Sequence, residues 1–187
     1  AKGHRRMLDD KLKQLVELGN IERVPSERST MVWEKAEGNS LEMFTDGACT
    51  DGVMGLGWVL YDGPSLVAGG SGNAGAGTPY RAELAGLDDS LLWLISNPHK
   101  LKNRQLCLVT DCQSAVAALK APKVKDAQVK NILDQAKLLA TLGKVGIRWC
   151  QRGTDERNTM ANAMARQASR RDPLEPDIGV ENSMLGE

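Results

Sequence analysis

Apolar residues between positions 41 and 72 fall into three short runs, separated by turns that are rich in glycine and acid. The first run ends on Asp46, the second ends near Asp62, and the third covers residues 65–72. Short apolar runs bounded by such turns predict β-strands, and their close succession predicts an antiparallel meander. The small residues at 73–77 predict a flexible loop after the third strand.

The rest of the chain alternates between helical and strand-like patterns. Apolar residues at helical spacing predict a helix that begins after Thr78 as N-cap, with Pro79 as first residue, and ends near Ser96. Later patterns predict strands at 105–111 and 144–149, and helices at 114–119, 129–143 and 158–171. Trp58 and Trp149 lie on predicted strands, and we expect both in the core. The order βββαβααβα predicts an α/β fold with a mixed five-stranded sheet, three antiparallel strands followed by parallel ones, flanked by helices.

Both ends of the chain differ from the middle. Residues 5–18 carry apolar side chains at helical spacing, and residues 21–39 mix charge, proline and glycine without a period. We assign residues 1–39 to an N-terminal helical extension and linker arm, 40–172 to the main domain, and 173–187 to an acidic tail expected to be disordered. Two interpretations of the extension stay open: a packing element, or a remnant of a larger polyprotein or multidomain chain.

Composition narrows the class of protein. The 187 residues are 41% hydrophobic and 26% charged, and no apolar run approaches the roughly 20 residues of a membrane helix. The four cysteines are scattered without a CxxC pair, which predicts free thiols in a reducing compartment, the cytoplasm or the nucleus. The net charge is zero, yet residues 41–173 carry 16 basic against 13 acidic side chains. This surplus favours a polyanionic partner only weakly, and more so if several of the acids hold metal ions.

Three acidic residues stand where chemistry is expected. Asp46 and Asp111 end predicted strands that would be central and adjacent, and Glu83 lies early in the helix between them. Open α/β sheets bind ligands at the carboxyl ends of such strands. The helix dipole at the start of that helix favours an ionised Glu83. Taken singly, the three are also compatible with a turn acid, a helix acid and a helix N-cap; their order and spacing favour a shared site.

Four sequence blocks carry a resemblance to a known family. The blocks FTDGACTDGVMGLGWVLYD, TPYRAEL, LVTDCQSAVAAL and NTMANAMARQA lie in order between about residues 40 and 171. They resemble type 1 ribonuclease H, including the domains that retroelements attach to reverse transcriptase. The resemblance implies an RNase H-like fold and an endonuclease that hydrolyses the RNA strand of RNA/DNA hybrids. It also implies two Mg²⁺ ions, with Mn²⁺ as substitute, a monomer and no membrane partner.

The same resemblance implies a set of metal ligands. Asp46 would contact both ions, and Glu83 and Asp111 would hold the second. The family has aspartate at the fourth ligand position, where this chain has Asn162. Asparagine offers a neutral oxygen in nearly the same shape, so it ligates weakly and removes one negative charge. Three interpretations stay open: an isosteric inactivating substitution, a naturally weakened site, and an inactive module that binds nucleic acid or serves as a scaffold.

One further departure concerns the last loop. The family often has a histidine there that assists product release, but the histidines of this chain are His4 and His99. Asp155 and Glu156 lie in the loop before the predicted last helix; either carboxylate would restore the missing charge if it reached the site, and we expect neither to do so.

Contacts to nucleic acid follow from the same resemblance. Cys49 and Gln113 match positions that touch the minor groove, where the 2′-hydroxyl distinguishes RNA from DNA. Thr78 matches a threonine that contacts a phosphate of the DNA strand, Arg152 is a candidate phosphate ligand, and Asn158 is a further candidate contact. Purely structural roles compete for three of them: a small buried cysteine, a helix-start glutamine and a helix-capping threonine.

Overall fold

The computed structural model of the protein describes residues 33–34, 40–101, 103–170 and 178–181. These ranges contain six strands, four α-helices and a short 3₁₀ helix at Pro98–Lys100. The strands are β1 (Leu41–Thr50), β2 (Val53–Asp62), β3 (Ser65–Ala76), β4 (Leu106–Thr110), β5 (Val145–Trp149) and β6 (Ile178–Glu181). The α-helices are α1 (Pro79–Ser96), α2 (Gln113–Lys120), α3 (Ala127–Ala140) and α4 (Glu156–Ser169).

The strands form one mixed sheet in the order β5-β4-β1-β2-β3-β6. β1, β2 and β3 pair antiparallel, whereas β4 is parallel to both β1 and β5. The turn between β1 and β2 contains only Asp51 and Gly52, both with positive φ (51° and 78°), which is the geometry of a tight hairpin turn. The predicted α/β fold, three antiparallel strands followed by parallel ones with helices on the sheet, is confirmed.

The third strand is longer than its sequence predicts. β3 continues to Ala76, so most of the residues predicted as a flexible loop pair with β2, with Ala76 opposite Val53 and Gly75 opposite Met54. Because glycine has a low strand propensity, the sequence pattern predicted that this strand ends at residue 72, before its actual end at Ala76. Backbone hydrogen bonds to β2 override that propensity here.

The segment at 178–181 also corrects a prediction. It forms β6, which pairs antiparallel with β3 between Ala68 and Ser71, so the prediction of a disordered tail is wrong for these four residues. Ile178 and Val180 are β-branched, and the free edge of β3 offers them a partner. The remaining tail residues and the predicted N-terminal helix lie outside the described residues.

Two residues of the predicted N-terminal arm contact the main domain. The indole Nε1 of Trp33 donates a hydrogen bond to the Leu119 carbonyl at 3.1 Å, and the backbone N–H of Glu34 donates to Val145 at 3.1 Å. The arm therefore packs on the domain at this point.

Helices cover both faces of the sheet. The larger core lies between the sheet and α1, α2 and α3, and a smaller one around Phe44 and Ala161 lies on the α4 side. Trp58 is 2% exposed, which confirms its predicted core position, but Trp149 is 43% exposed, so the same prediction is wrong for Trp149. Trp149 ends the edge strand β5, where neighbouring elements leave it open. Among the helices in the described ranges, none is long and apolar enough to cross a membrane.

Candidate active site

The parallel pair β1 and β4 brings two acids side by side. The paired register of these strands ends at Phe44 opposite Val109, and Asp46 and Asp111 each lie two residues beyond it. Asp111 follows the last residue of β4, as predicted. Asp46 does not end its strand, because β1 continues to Thr50 through its pairing with β2. It lies instead where β4 stops covering β1, so the sheet opens beside its carboxylate.

The third acid arrives from α1, held close to β1. Thr78 caps this helix by accepting a hydrogen bond from the backbone N–H of Arg81 at 3.3 Å, and Pro79 is its first residue, both as predicted. A Cβ atom on Gly47 would overlap the backbone of Ala82 and Glu83. The absence of a side chain at Gly47 therefore lets the helix approach the strand closely enough for Glu83 to reach Asp46.

The three acids form one cluster. Asp46, Glu83 and Asp111 each offer a carboxylate oxygen, and these oxygens lie within 4.8 Å of one another. Asp46 is fully buried, Glu83 is 7% exposed and the Asp111 side chain is 1% exposed. Within the described residues, Glu83 Oε2 and Asp111 Oδ1 are buried without a hydrogen-bond partner. Buried oxygens without a partner are rare, and hard oxygen donors are the ligands that Mg²⁺ prefers, so these residues fit a divalent cation.

The crowding of the acids determines their protonation. Burial, followed by the negative charge of Asp46, raises the pKa of Glu83 to about 11. Burial, together with the charge of Asp111, also raises the pKa of Asp46. Without a cation, Glu83 is therefore protonated at neutral pH and donates a hydrogen bond to Asp46. The expectation that the helix dipole keeps Glu83 ionised is wrong for this state, because desolvation and a neighbouring acid outweigh a dipole effect of about 1 kcal/mol.

Asn162 lies beside the cluster, as the sequence predicts for the fourth ligand position. Its Nδ2 donates a hydrogen bond to Asp46 Oδ2 at 2.7 Å, from the middle of α4. The other Asp46 oxygen accepts from the backbone N–H of Gly47 at 2.8 Å. Asn162 thus occupies a lone pair of the Asp46 carboxylate.

Two residues at and just beyond the end of β5 contact Asp111. Arg152 Nε donates to Asp111 Oδ2 at 2.9 Å, while the Arg152 side chain is 62% exposed. Trp149 Nε1 donates to the Asp111 backbone carbonyl at 3.1 Å. The sequence indicated Arg152 only as a phosphate ligand, and it gave no sign that Trp149 belongs to the site. The one signal that places Trp149 near the site is the parallel register of β4 and β5, which pairs Trp149 with Thr110.

Three predicted nucleic-acid contacts lie at accessible positions. Cys49 is half-buried and its Sγ donates to the Gly77 carbonyl at 3.3 Å, which brings it beside the exposed Thr78. Gln113 is exposed at the first turn of α2, two residues after Asp111. All three side chains are therefore placed where substrate could reach them, and their contacts to substrate stay predictions.

The remaining candidates lie elsewhere. Asn158 is 1% exposed, and neither its Oδ1 nor its Nδ2 has a partner among the described residues, so the structure does not bring its side chain to an open surface. Asp155 does not replace the missing charge at the cluster. It caps α4 through the backbone N–H of Arg157 and binds the Arg157 guanidinium at 2.9 Å.

The comparison with known families agrees with this fold. The model of the RNase H family, described as "RNase H", matches residues 38–170. Because this match covers most of the chain, the chain belongs to the RNase H family. No curated protein matches its sequence.

Several solved structures share the fold. RNase H1 from the halophilic archaeon Halobacterium salinarum is 24% identical with a TM-score of 0.56, and the match covers 69% of this chain and 96% of that one. The N-terminal RNase H domain of a Mycobacterium tuberculosis protein is also 24% identical, with a TM-score of 0.56 over 71% and 94% of the two chains. LC11-RNase H1, solved in complex with RNA/DNA hybrid, is 20% identical, with a TM-score of 0.58 over 69% and 96%. At these identities the likeness shows the fold.

Proposed function

We propose that this chain hydrolyses the RNA strand of RNA/DNA hybrids with two divalent cations, Mg²⁺ or Mn²⁺. The observation that carries this proposal is the buried carboxylate cluster of Asp46, Glu83 and Asp111, with two oxygens that lack a hydrogen-bond partner. Three converging carboxylates in a low-dielectric site are unfavourable unless protons or cations balance them. Membership of the RNase H family supports the proposal that cations balance these carboxylate charges and that the bound cations serve a nuclease reaction.

The four side chains have distinct roles in the proposal. Asp46 is central, since it bonds both Glu83 and Asn162, and it would contact both ions. Glu83 and Asp111 would hold the second ion, and Glu83 would release its proton to solvent to do so. Bound divalent cations supply Lewis acidity for attack of water on a phosphodiester, which leaves a 5′-phosphate on the product. The burial of the carboxylates keeps solvent from competing for them.

The substrate is proposed to be a hybrid duplex, the ligand of the structurally similar LC11-RNase H1. Cys49 and Gln113 would contact the minor groove, where the RNA strand carries its 2′-hydroxyls. Thr78 would contact a phosphate of the DNA strand, and Arg152, which is 62% exposed, would contact a phosphate once a cation replaces it at Asp111.

Asn162 makes the proposed activity weak. Its amide donates to Asp46, so its carbonyl oxygen reaches a cation only if the amide turns and this hydrogen bond breaks. Even then the oxygen is neutral, and the cation beside it is held by less charge. We therefore propose a nuclease that is slower than its Asn162→Asp form.

The same hydrogen bond favours a second candidate function. If Asn162 keeps the Asp46 lone pair occupied, the chain is a catalytically inactive module that binds nucleic acid or forms part of a larger assembly. This candidate predicts hybrid binding that weakens with salt and no cleavage in any metal.

Cleavage of a strand-labelled substrate set tests the proposal. The set contains an RNA/DNA hybrid, duplex RNA and duplex DNA of one sequence, each with excess Mg²⁺ or Mn²⁺ and with a chelator. We expect slow, metal-dependent cleavage of the RNA strand of the hybrid alone, and none by Asp46→Asn. Cleavage of the DNA duplex, or equal cleavage by Asp46→Asn, would contradict the proposal.

A further inference from the structure

Trp149 has an unusual surface position. Among the large hydrophobic side chains of the described residues, only Trp149 and Met160 are exposed, at 43% and 42%. Trp149 ends β5 at the same edge of the sheet as Asp111, which follows β4. Side chains alternate along a strand, and Arg148 bonds Glu42 and lies near Phe44 on the α4 side. Trp149 therefore lies on the opposite face, toward α2.

The ring is anchored to the candidate active site. Trp149 Nε1 donates to the Asp111 carbonyl at 3.1 Å, and this hydrogen bond holds the indole against the turn between β4 and α2. A single exposed apolar side chain is ordinary on a protein surface. The Trp149 indole differs from such a side chain, because its Nε1 is hydrogen-bonded to the backbone of Asp111, a proposed metal ligand. This hydrogen bond restricts the movement of the ring. Such a ring presents a face to solvent and loses little conformational entropy when a ligand covers it.

A positive charge borders the same carboxylate. Arg152, three residues after Trp149, binds Asp111 Oδ2 with a largely exposed side chain. Asp111 is thus flanked by an indole ring on its backbone side and a guanidinium on its carboxylate side. An aromatic ring together with a basic group is the combination that binds nucleic-acid strands, through stacking and through phosphate contacts.

We propose that Trp149 is a contact for the RNA strand beside the cut site, where its ring face packs on a ribose or base while Asp111 holds the cation. This inference rests on the proposed function, because the occupant of the surface is the strand that the metal site would cleave. The continuity of Trp149 with Asp111, and the positive charge of Arg152 next to it, favour a nucleic acid as the occupant over an apolar protein partner.

Hybrid binding by two Trp149 variants tests the inference. The affinity for a fluorescent RNA/DNA hybrid is measured by anisotropy in Ca²⁺, for the full chain, Trp149→Ala, Trp149→Phe and the control Met160→Ala. We expect Trp149→Ala to weaken binding at least about fivefold, which is the lower end of the effect expected for loss of one aromatic stacking contact. Trp149→Phe keeps a ring without the N–H donor and is expected within about twofold to threefold of the unchanged chain, like Met160→Ala. Thermal unfolding verifies that each variant is folded.

A second readout separates contact from a structural role. Saturation with hybrid should quench the tryptophan fluorescence of the unchanged chain, and most of that quenching should disappear in Trp149→Phe, although three other tryptophans remain. The dependence of affinity on salt should keep its slope in Trp149→Ala, because no charge has been removed.

The outcomes distinguish the two proposals. If the unchanged chain binds hybrid and Trp149→Ala binds equally well, the inference is wrong and the proposed function stands. If Trp149→Phe is as weak as Trp149→Ala, the N–H to Asp111 carries the effect, and Trp149 positions Asp111 without touching RNA. If the unchanged chain does not bind hybrid at all, the proposed function fails first and the inference fails with it.

Discussion

Asn162 donates a hydrogen bond from Nδ2 to Asp46 Oδ2 at 2.7 Å, and the same Asp46 carboxylate shares a hydrogen bond with Glu83. The amide supplies a donor where the RNase H resemblance implies a fourth carboxylate. A donor relieves the repulsion among the acids without a cation, whereas a carboxylate would increase it. We therefore expect Asn162 to stabilise the metal-free site and to lower its affinity for metal.

Changing Asn162 to aspartate should make the metal-free site less stable and should raise its affinity for metal. Without metal, we expect Asn162→Asp to lower the free energy of unfolding by about 1–3 kcal/mol, because a hydrogen bond to a charged group is replaced by repulsion. With excess Mn²⁺, we expect this variant to gain more stability than the unchanged chain, because another charge holds the cation. Thermal unfolding in chelator and in Mn²⁺ measures both effects.

Asn131→Asp is the matched control for this change. Asn131 Nδ2 donates to Asp88 Oδ1 at 3.0 Å, so the same substitution beside an acid loses the same kind of hydrogen bond away from the cluster. We expect Asn131→Asp to be destabilised with and without Mn²⁺. If Mn²⁺ stabilises Asn162→Asp no more than Asn131→Asp, position 162 does not contribute to a cation site.

Arg152 donates a hydrogen bond to Asp111 Oδ2, so we expect it to compete with a cation for this carboxylate. We expect Arg152→Gln to bind Mn²⁺ about twofold to fivefold more tightly, since a partly exposed ion pair contributes up to about 1 kcal/mol. Titration calorimetry measures the affinity, with the exposed Arg166→Gln on α4 as control. The same variant should bind hybrid more weakly if Arg152 moves to a phosphate. A metal affinity unchanged from the Arg166→Gln control would argue against competition at Asp111.

The close approach of α1 to β1 should not tolerate a side chain at Gly47. A methyl group there overlaps the backbone of Ala82 and Glu83, so we expect Gly47→Ala to cost about 1–3 kcal/mol or more and to weaken Mn²⁺ binding. Gly52→Ala is the control, since its Cβ meets no atom within 4 Å and only its positive φ (78°) opposes alanine. Chemical denaturation gives the stability of both variants. If Gly47→Ala retains full metal affinity, the position of Glu83 does not depend on this contact.

An ion pair between α1 and α3 predicts a pH dependence of stability. The Arg81 guanidinium, with hydrogen bonds from the first turn of α3, lowers the pKa of Asp126 to about 2. A lowered pKa stabilises the fold above the ordinary pKa of Asp126, 3.8, and this contribution is lost as the pH falls toward 2. Asp126→Asn, which retains an N-cap residue, should therefore be less stable at pH 7, by up to about 1 kcal/mol for so exposed a pair.

The difference between Asp126→Asn and the unchanged chain should shrink below pH 3.8 and vanish below pH 2, where Asp126 is protonated in the folded chain as well. Asp134→Asn, an exposed acid on the same helix, is the control and should show little difference at any pH. Urea denaturation at several pH values measures this. A difference that keeps its full size at pH 2 would mean that the ion pair is not its source.

Local patterns in the sequence predicted the parts of the fold that local chemistry determines. The cap at Thr78 and Pro79 and the apolar β4 follow from short-range preferences, and the structure has both of them. The convergence of the three acids could also be predicted, because parallel pairing of central strands brings their ends together. Asn162 was located through the resemblance.

Long-range packing explains what the sequence did not predict. β3 extends through glycines because β2 pairs with it, and Trp149 is exposed because β5 is an edge strand. Glu83 is protonated because burial and Asp46 outweigh the helix dipole. Each depends on neighbours that are distant in sequence, and so does the burial of Asn158.

The decisive experiment is cleavage of a labelled RNA/DNA hybrid by this chain beside its Asn162→Asp form, in Mg²⁺ and in Mn²⁺. We expect Asn162→Asp to cut the RNA strand and the unchanged chain to cut it at least about tenfold more slowly, equivalent to about 1.4 kcal/mol of transition-state stabilisation. If neither form cuts while both bind hybrid, the carboxylate cluster is not a nuclease site and the chain is a binding module.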